Sequence, residues 1–234
     1  MAKNADARAG VGRRQFLHTA VSTAVVGIAA RSSSGLRALR RLPVSVIPSP
    51  EAALQELLAG NQRFAANRLT SGEQDLNSLR AHTVEHQTPF AGVLGCADSR
   101  VPVELVFDQS IGQIFTVRVA GNIVTPEIIA SLEYAVAVLS IRAVLVLGHT
   151  NCGAVKAAMK TESAPGQISA LYPHLRPAVN QAAGSVGRAI DLNAHLQADL
   201  LRTSSTVIGE AITSGTLKVS AGVYDLATGR VTVS

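Results

Sequence analysis

Short apolar runs recur along the chain, separated by longer segments in which polar and apolar residues mix with helical spacing. Three of these runs are continuous and rich in valine, leucine and isoleucine, and they predict strands at residues 90–95, 114–119 and 143–148. Strands without polar alternation are buried on both faces, which is typical of a parallel sheet. The pattern therefore predicts an α/β fold with a mostly parallel β-sheet flanked by helices.

Helices are predicted in the segments that join these strands. The first begins at Ser49-Pro50-Glu51, because proline is favoured just inside a helix start and apolar residues then recur at helical spacing. Further helical patterns cover residues 126–141, 152–160 and most of 171–213. The last of these regions contains no recognisable motif, so packing is its default explanation. Residues 217–226 and 230–234, joined by a Thr-Gly turn, predict two final strands, the last of them antiparallel.

The positive charge of the chain is concentrated at its N-terminus. The formal net charge is +5, but residues 1–41 hold eight of the 21 Lys and Arg residues and a single acidic residue, Asp6. Residues 42–234 carry 13 basic and 15 acidic side chains, so this part of the chain is slightly acidic. The charge distribution therefore gives no support to a function in nucleic-acid binding.

Residues 1–42 predict an export signal and a linker, followed by a folded domain at 43–234. The pair Arg13-Arg14 precedes Phe16-Leu17 and a mild apolar stretch at 20–30, a pattern that resembles a twin-arginine signal. This stretch is shorter than the roughly 20 residues that span a bilayer, although an uncleaved N-terminus would still serve as a membrane anchor. The expected location is therefore periplasmic, cell-envelope or extracellular.

The candidate chemistry lies in two polar clusters, each directly after an apolar strand. The clusters are Cys96-Ala97-Asp98-Ser99-Arg100 and His149-Thr150-Asn151-Cys152-Gly153, and they contain the two cysteines of the chain. In an open parallel sheet, sites form outside the carboxyl ends of the strands, so the fold itself predicts that the two clusters meet. Two thiolates and an imidazole match a catalytic zinc site, which has three protein ligands and one exchangeable position.

Asp98 and Arg100 suggest how the fourth position of such a site is controlled. Asp98 is a candidate fourth ligand, and Arg100 is placed to hold its carboxylate in a bidentate pair, which would open the position to water. Zinc would then generate hydroxide near neutral pH, a nucleophile for a small electrophilic carbon. Cys152 stands just before the helix predicted at 152–160, and the positive end of that helix is expected to favour its thiolate.

Two other functions are compatible with the same residues. In an oxidising compartment, Cys96 and Cys152 would form a reversible disulfide, and the chain would be a redox or binding protein. Alternatively, zinc would have a purely structural role, with Asp98 as a permanent fourth ligand. Arg100 argues against this second alternative, because a permanent ligand needs no competitor.

At these residues the sequence resembles the β-carbonic anhydrase family, and the resemblance covers nearly all of residues 51–234. Its most specific element is the combination of Cys-x-Asp-x-Arg with His-x-x-Cys in the two clusters. Shorter matches occur at Gly60-Asn61-x-Arg63-Phe64, Val101-Pro102, Phe107-Asp108-Gln109, Arg118-Val119-Ala120-Gly121-Asn122 and Tyr224-Asp225-x-x-Thr228-Gly229.

The resemblance implies an enzyme that interconverts carbon dioxide and bicarbonate by attack of zinc-bound hydroxide. It implies that Cys96, His149 and Cys152 hold Zn2+, and that Asp98 either ligates the metal or pairs with Arg100 in catalysis. Related enzymes hydrolyse carbonyl sulfide or carbon disulfide with the same ligands, so a sulfur-containing substrate is the alternative.

The resemblance also implies further binding positions and an assembly. Gln87 matches a glutamine of the substrate pocket, and the amide of Gly153 is expected near the bound species. Some members hold an inhibitory bicarbonate with a tryptophan, an arginine and a tyrosine; Arg118 matches that arginine, whereas Val93 stands at the tryptophan position. Members of the family form homodimers and larger homo-oligomers through the sheet edge, which is the assembly expected here.

Overall fold

The computed structural model describes Ile47 and residues 49–71, 76–160 and 164–234. The predicted signal and linker at residues 1–42 lie outside these described residues. Within them, the strands are β1 (Ala91–Gly95), β2 (Ile114–Arg118), β3 (Ala143–His149), β4 (Lys218–Tyr224) and β5 (Val231–Val233). They form one sheet in the order β2-β1-β3-β4-β5.

The sheet is parallel except for its last pair of strands. Ala91 in β1 pairs in parallel with Ile114 in β2 and with Ala143 in β3, and Ala143 pairs in parallel with Lys218 in β4. By contrast, β4 and β5 are antiparallel. A tight turn connects them, which is possible only between antiparallel neighbours. The predicted fold class is confirmed.

Helices occupy most of the chain between the strands. They are α1 (Pro50–Ala65), α2 (Leu76–Thr83), α3 (Val103–Val106), α4 (Pro126–Ala137), α5 (Gly153–Ala158), α6 (Tyr172–Gln181), α7 (Val186–Ser204) and α8 (Thr206–Thr213), with 3₁₀ turns at Ala120–Asn122 and Ile168–Leu171. The first helix begins as predicted, since Ser49 accepts a hydrogen bond from the Ala52 amide. The fourth ends at Ala137 rather than at 141, and Ser140 then takes a left-handed conformation (φ 56°).

Strand β3 shows why both faces of the sheet need a cover. All of its residues are buried, and successive side chains point to opposite faces. Val144 and Val146 belong to an apolar cluster with residues of α4, α7 and α8, whereas Leu145 and Leu147 belong to a cluster with residues of α1 and α3. Each fully buried side chain of this kind contributes about 1.5–3 kcal/mol, so the fold depends on both layers.

A third cluster covers the carboxyl ends of β1 and β3. It contains Cys96 and Cys152 together with apolar residues of α5, α6 and α7. The polar clusters identified in the sequence therefore meet under a layer of helices. None of the helices in the described residues combines the length and the apolarity needed to cross a membrane.

Candidate metal centre

Two neighbouring strands and one helix start position the three candidate ligands. Cys96 directly follows β1, His149 is the last residue of β3, and Cys152 is the residue before α5. Because β1 and β3 pair in parallel, their carboxyl ends lie side by side. All three side chains are buried, and their ligand atoms lie within 4.8 Å of one another. Both cysteines are free thiols and do not form a disulfide.

His149 presents one ring nitrogen to this cluster. Its Nδ1 lies 3.0 Å from the carbonyl oxygen of Thr150, which can only accept a hydrogen bond, so Nδ1 carries the proton. Its Nε2 is therefore the basic nitrogen. This atom is buried and has no hydrogen-bond partner within the described part of the chain. A buried acceptor without a partner is costly unless a ligand satisfies it.

A contact between the two sulfur atoms shifts the pKa values of the two cysteines in opposite directions. The contact with Cys152 lowers the pKa of Cys96 to about 4 against the opposing effect of burial, and hydrogen bonds from the Gly121 and Asp98 amides lower it further. The same contact with Cys96 raises the pKa of Cys152, and burial adds to this. The Val155 and Ala154 amides at the start of α5 act in the opposite direction but are outweighed.

The start of α5 acts on Cys152 in the predicted direction, since its amides lower the pKa of this thiol. The contact with Cys96 acts in the opposite direction on the same thiol. A cation between the two sulfurs would remove this conflict, because it stabilises both thiolates.

Asp98 and Arg100 form a bidentate pair at the rim of the cluster. Arg100 donates from Nε to Asp98 Oδ1 over 2.9 Å and from a terminal nitrogen to Oδ2 over 2.7 Å. These bonds hold the pKa of Asp98 well below its usual range. Asp98 Oδ2 lies 3.8 Å from His149 Nε2, but the carboxylate is not within the 4.8 Å grouping of the three ligands. The structure thus places Asp98 beside the centre, with both of its carboxylate oxygens bound to Arg100.

The loop that carries Cys96 is held by the end of β2. Arg118 donates to the carbonyl oxygens of Cys96 (2.9 Å) and Asp98 (2.6 Å). The amide of Gly121 donates to Cys96 Sγ over 3.3 Å. Val93, at the position of the tryptophan in the inhibitory bicarbonate site of some family members, is fully buried in β1. In this chain, Arg118 therefore holds the loop of residues 96–98, which we call the ligand loop. Arg118 and Cys96 are 22 residues apart, and this separation gave no sign of the contact.

The other two predicted site residues lie in different places. Gly153 is the first residue of α5, exposed next to Cys152, and a side-chain carbon built on it would meet nothing within 4 Å. Gln87 is exposed and precedes the amino end of β1, whereas Cys96 follows its carboxyl end. The five residues of β1, at about 3.3 Å each, separate the two positions. Within one chain, the structure does not bring Gln87 to the ligands.

The donor set and its geometry fit zinc. In a tetrahedral zinc site with thiolate and imidazole ligands, neighbouring ligand atoms are about 3.5–3.8 Å apart, which the grouping within 4.8 Å accommodates. The fixed tautomer of His149 presents a lone pair, and the hydrogen bond from Nδ1 to a carbonyl is typical support for a ligand. Three protein ligands leave one position for the reaction.

Comparison with known proteins places the chain in one family. A family model described as carbonic anhydrase matches residues 91–231. Carbonic anhydrase 2 of Mycobacterium tuberculosis is 37% identical over 193 residues, which cover 78% of this chain and 91% of that protein.

Solved structures agree with this assignment. The β-carbonic anhydrase CafA of Aspergillus fumigatus superposes with a TM-score of 0.64 at 28% identity, covering 77% of this chain and 90% of its own. A tetrameric β-carbonic anhydrase of Sordaria macrospora has the same fold, with a TM-score of 0.64 at 24% identity over 77% of this chain and 95% of its own.

Proposed function

Because the chain belongs to the β-class carbonic anhydrase family, we propose that its buried centre of Cys96, His149 and Cys152 holds zinc and converts carbon dioxide reversibly into bicarbonate and a proton. The observation that carries this proposal is the unpartnered Nε2 of His149, buried within 4.8 Å of two cysteine sulfurs. When bound there, zinc supplies the Lewis acidity that makes water a nucleophile near neutral pH.

Asp98 and Arg100 act on the reacting water. The bidentate pair keeps the Asp98 carboxylate ionised and turned toward the guanidinium, so that with zinc bound a fourth ligand position would be left to water. An ionised carboxylate can only accept hydrogen bonds. Asp98 therefore accepts from the water O–H and directs the oxygen lone pair toward carbon dioxide. Arg100 is 48% exposed at this rim, where it also meets the bicarbonate that leaves.

Gly153 leaves room for the substrate and donates to it. The first amides of a helix have no acceptor within the helix, so the Gly153 N–H is free to bind an oxygen of the reacting molecule. The open space around this glycine means that a substrate oxygen is not obstructed. The amide donor at this position favours carbon dioxide over carbonyl sulfide and carbon disulfide, because sulfur is a poorer hydrogen-bond acceptor than oxygen.

The active protein is a homo-oligomer in which Gln87 completes the site of another subunit. Strand β2 is at one edge of the sheet, and the side chains of Tyr134 on the adjacent α4 and of Val138 directly after this helix are about half exposed or more. A two-fold axis at this edge would make the β2 strands of two subunits antiparallel. Gln87, which lies near the amino ends of the strands in one subunit, would then be beside the carboxyl ends of the strands in the partner.

Mixed oligomers test the position of Gln87. Cys96→Ser and Gln87→Ala chains, each inactive as homo-oligomers, are expected to recover activity when they are unfolded and refolded together, since one mixed site then has all its residues. No recovery in a verified mixed oligomer would place the function of Gln87 within its own chain or remove it from the site.

Residues 1–42 direct export of the enzyme from the cytoplasm. The paired Arg13 and Arg14 before an apolar stretch support a twin-arginine route, which carries folded proteins and would allow zinc to bind the reduced thiols first. Replacement of both arginines by lysine is expected to retain the protein in the cytoplasm. Unchanged fractionation of this variant would contradict the proposed signal.

The central experiment measures zinc content and carbon dioxide hydration on the same purified sample. We expect about one zinc per chain and fast hydration, with zinc lost in Cys96→Ser and hydration alone lost in Asp98→Asn. Zinc without hydration would indicate a permanently closed structural site or, if carbonyl sulfide is hydrolysed, a sulfur-containing substrate. A chain without zinc and without free thiols would be a disulfide redox protein.

A further inference from the structure

Helix α7 carries two buried amide side chains on a face that is otherwise apolar. Asn193 is 1% exposed and Gln197 is 4% exposed. Their neighbours on this face are Ala189, Ile190, Ala194, Ala198 and Leu201, all buried. Burial of an amide is unfavourable unless its hydrogen bonds are made, so the two side chains need partners.

Both amides bind the turn that follows β2. Asn193 Nδ2 donates to the carbonyl oxygen of Gly121 over 2.9 Å, and Gln197 Oε1 accepts from the amide of Val124 over 2.7 Å. Gln197 Nε2 also donates to Asn193 Oδ1 (3.2 Å) and to the carbonyl oxygen of His174 (3.1 Å). Together these four hydrogen bonds fix the orientation of both amides, because each side-chain oxygen and each side-chain nitrogen has a defined partner.

The turn at residues 121–124 depends on these contacts. Gly121 (φ 77°) and Asn122 (φ 44°) are both in the left-handed region, so the turn is not part of the sheet and cannot continue a regular helix. A side-chain carbon on Gly121 would come within 3.0 Å of Leu175, so the turn is also closely packed. Asn193 and Gln197 hold it at its first carbonyl and its last amide.

The same turn provides a backbone donor to a ligand sulfur. The Gly121 amide points at Cys96 Sγ over 3.3 Å, while the carbonyl of the same residue is held by Asn193. A rotation of this residue away from Asn193 would change the direction of its amide as well. Hydrogen bonds to a thiolate ligand alter its charge and its bond to the metal.

We propose that Asn193 and Gln197 are positioning residues of the metal centre: they hold the 121–124 turn so that the Gly121 amide orients the Cys96 thiolate toward zinc. The inference rests on the zinc site of the proposed function. It assigns a role in metal binding to a helix that contributes no ligand.

Zinc release and the spectrum of a cobalt-substituted protein test this inference. In Asn193→Leu, zinc is expected to transfer to a chelator about ten- to a hundredfold faster than in the unchanged chain. The thiolate-to-cobalt absorption band is expected to move to longer wavelength, because a sulfur that loses a hydrogen bond gives up its electrons more easily. Asn193→Asp keeps the shape and removes the donor, and it should shift both readings in the same direction.

Asn61→Leu is the matched control. Asn61 is another buried asparagine, and it binds the carbonyl oxygens of Val106 and Gly229 and the amide of Val231, none of which touches the ligand loop. This control should lower the unfolding temperature at least as much as Asn193→Leu but leave zinc release within about twofold of the unchanged chain.

Several results would overturn the inference. Unchanged zinc release and an unchanged cobalt band in a folded Asn193→Leu or Asn193→Asp protein would do so. So would equal acceleration of zinc release in Asn61→Leu, since general destabilisation would then explain the effect. An unchanged chain that binds no zinc would instead contradict the proposed function itself.

Discussion

Two aspartate–arginine pairs have similar charges but are held in different ways. At the metal centre, Asp98 is bound by Arg100 two residues further on, and the Asp98 side chain is 18% exposed. Away from the centre, Asp108 has a fully buried side chain. It accepts a hydrogen bond of 2.5 Å from Arg63 and others from the Thr70 amide, the Thr70 hydroxyl and the next amide along the chain.

The origin of the donors separates the two carboxylates. The partner of Asp98 is local in sequence, so the pair can form or open without any rearrangement of helices and strands. The partners of Asp108 are 37–45 residues away and come from α1 and the segment after it. Both carboxyls have a lowered pKa. A lowered pKa therefore does not distinguish a catalytic carboxylate from one that stabilises the fold. The number of hydrogen-bond donors and their separation in sequence from the carboxylate do distinguish the two.

The largest expected effect is on catalysis, in Asp98→Asn. We expect kcat to fall by about a hundredfold or more, because a neutral amide is a weaker hydrogen-bond acceptor than a carboxylate and cannot make the bidentate pair with Arg100 that orients it toward the water. The free energy of unfolding should change by less than about 1 kcal/mol, since the pair is partly exposed. Stopped-flow hydration and urea unfolding of the same preparation measure the two quantities. A large loss of stability would make Asp98 a structural residue like Asp108.

The opposite result is expected for Asp108→Asn. Asparagine keeps one acceptor oxygen but replaces the other with an NH2 group and removes the charge, so the buried ion pair with Arg63 is lost and the free energy of unfolding should fall by about 2–4 kcal/mol. Activity per folded molecule should stay within about twofold, because no atom of Asp108 touches the ligand loop. A loss of kcat in fully folded protein, shown by an unchanged circular dichroism spectrum, would contradict this assignment.

The third expectation concerns the pH dependence of stability. Burial opposes ionisation of Asp108, but the hydrogen bonds from Arg63, Ser71 and Thr70 outweigh it and hold the pKa well below the usual value of about 4. The unfolded chain therefore binds this proton at a higher pH than the folded chain does. The stabilisation is complete above the unfolded pKa and disappears as the pH falls through the folded one.

The difference in unfolding free energy between the unchanged chain and Asp108→Asn should accordingly be constant above about pH 5 and shrink as the pH falls further. Urea unfolding at several pH values measures this difference. A difference that is constant over all of these values would show that Asp108 does not ionise differently in the two states.

The smallest expected effects come from replacing each arginine by lysine. Lysine keeps the charge but cannot make the two parallel bonds that Arg100 makes. Arg100→Lys should lower kcat/KM about three- to tenfold with stability unchanged, and Arg63→Lys should lower stability by about 1 kcal/mol with kcat/KM unchanged. If both variants changed the same quantity, the two pairs would not differ in role.

Much of the fold and of the ligand set could be predicted from local patterns. The apolar runs that became β1 and β3 are buried on both faces, which indicates a parallel sheet between helices, whereas β2 lies at the sheet edge and only its first residue is buried. A parallel sheet then brings Cys96 and His149 to the same edge. The bond between Asp98 and Arg100 was also predictable, because a spacing of two residues on one loop allows it.

Other features depend on contacts between distant parts of the chain. The sequence contained a weak sign of the Asn193 and Gln197 contacts, namely two amides four residues apart on an apolar helix face, but nothing in it named Gly121 and Val124, 72 and 73 residues away, as their partners. It also could not show that the two sulfur atoms lie in contact and influence each other's pKa, because this depends on how β1 and α5 are packed.

The sequence by itself thus determined the class of fold, the three ligands and the kind of metal, since strand periodicity and donor chemistry are local properties. Only the tertiary structure decided that Asp108 stabilises the fold and that Arg118 holds the ligand loop. It also decided that Gln87 and Cys96 lie at opposite ends of β1. These three depend on which segments the folded chain brings together. Residue type and spacing alone do not specify these contacts, because they form only when the helices pack against the sheet.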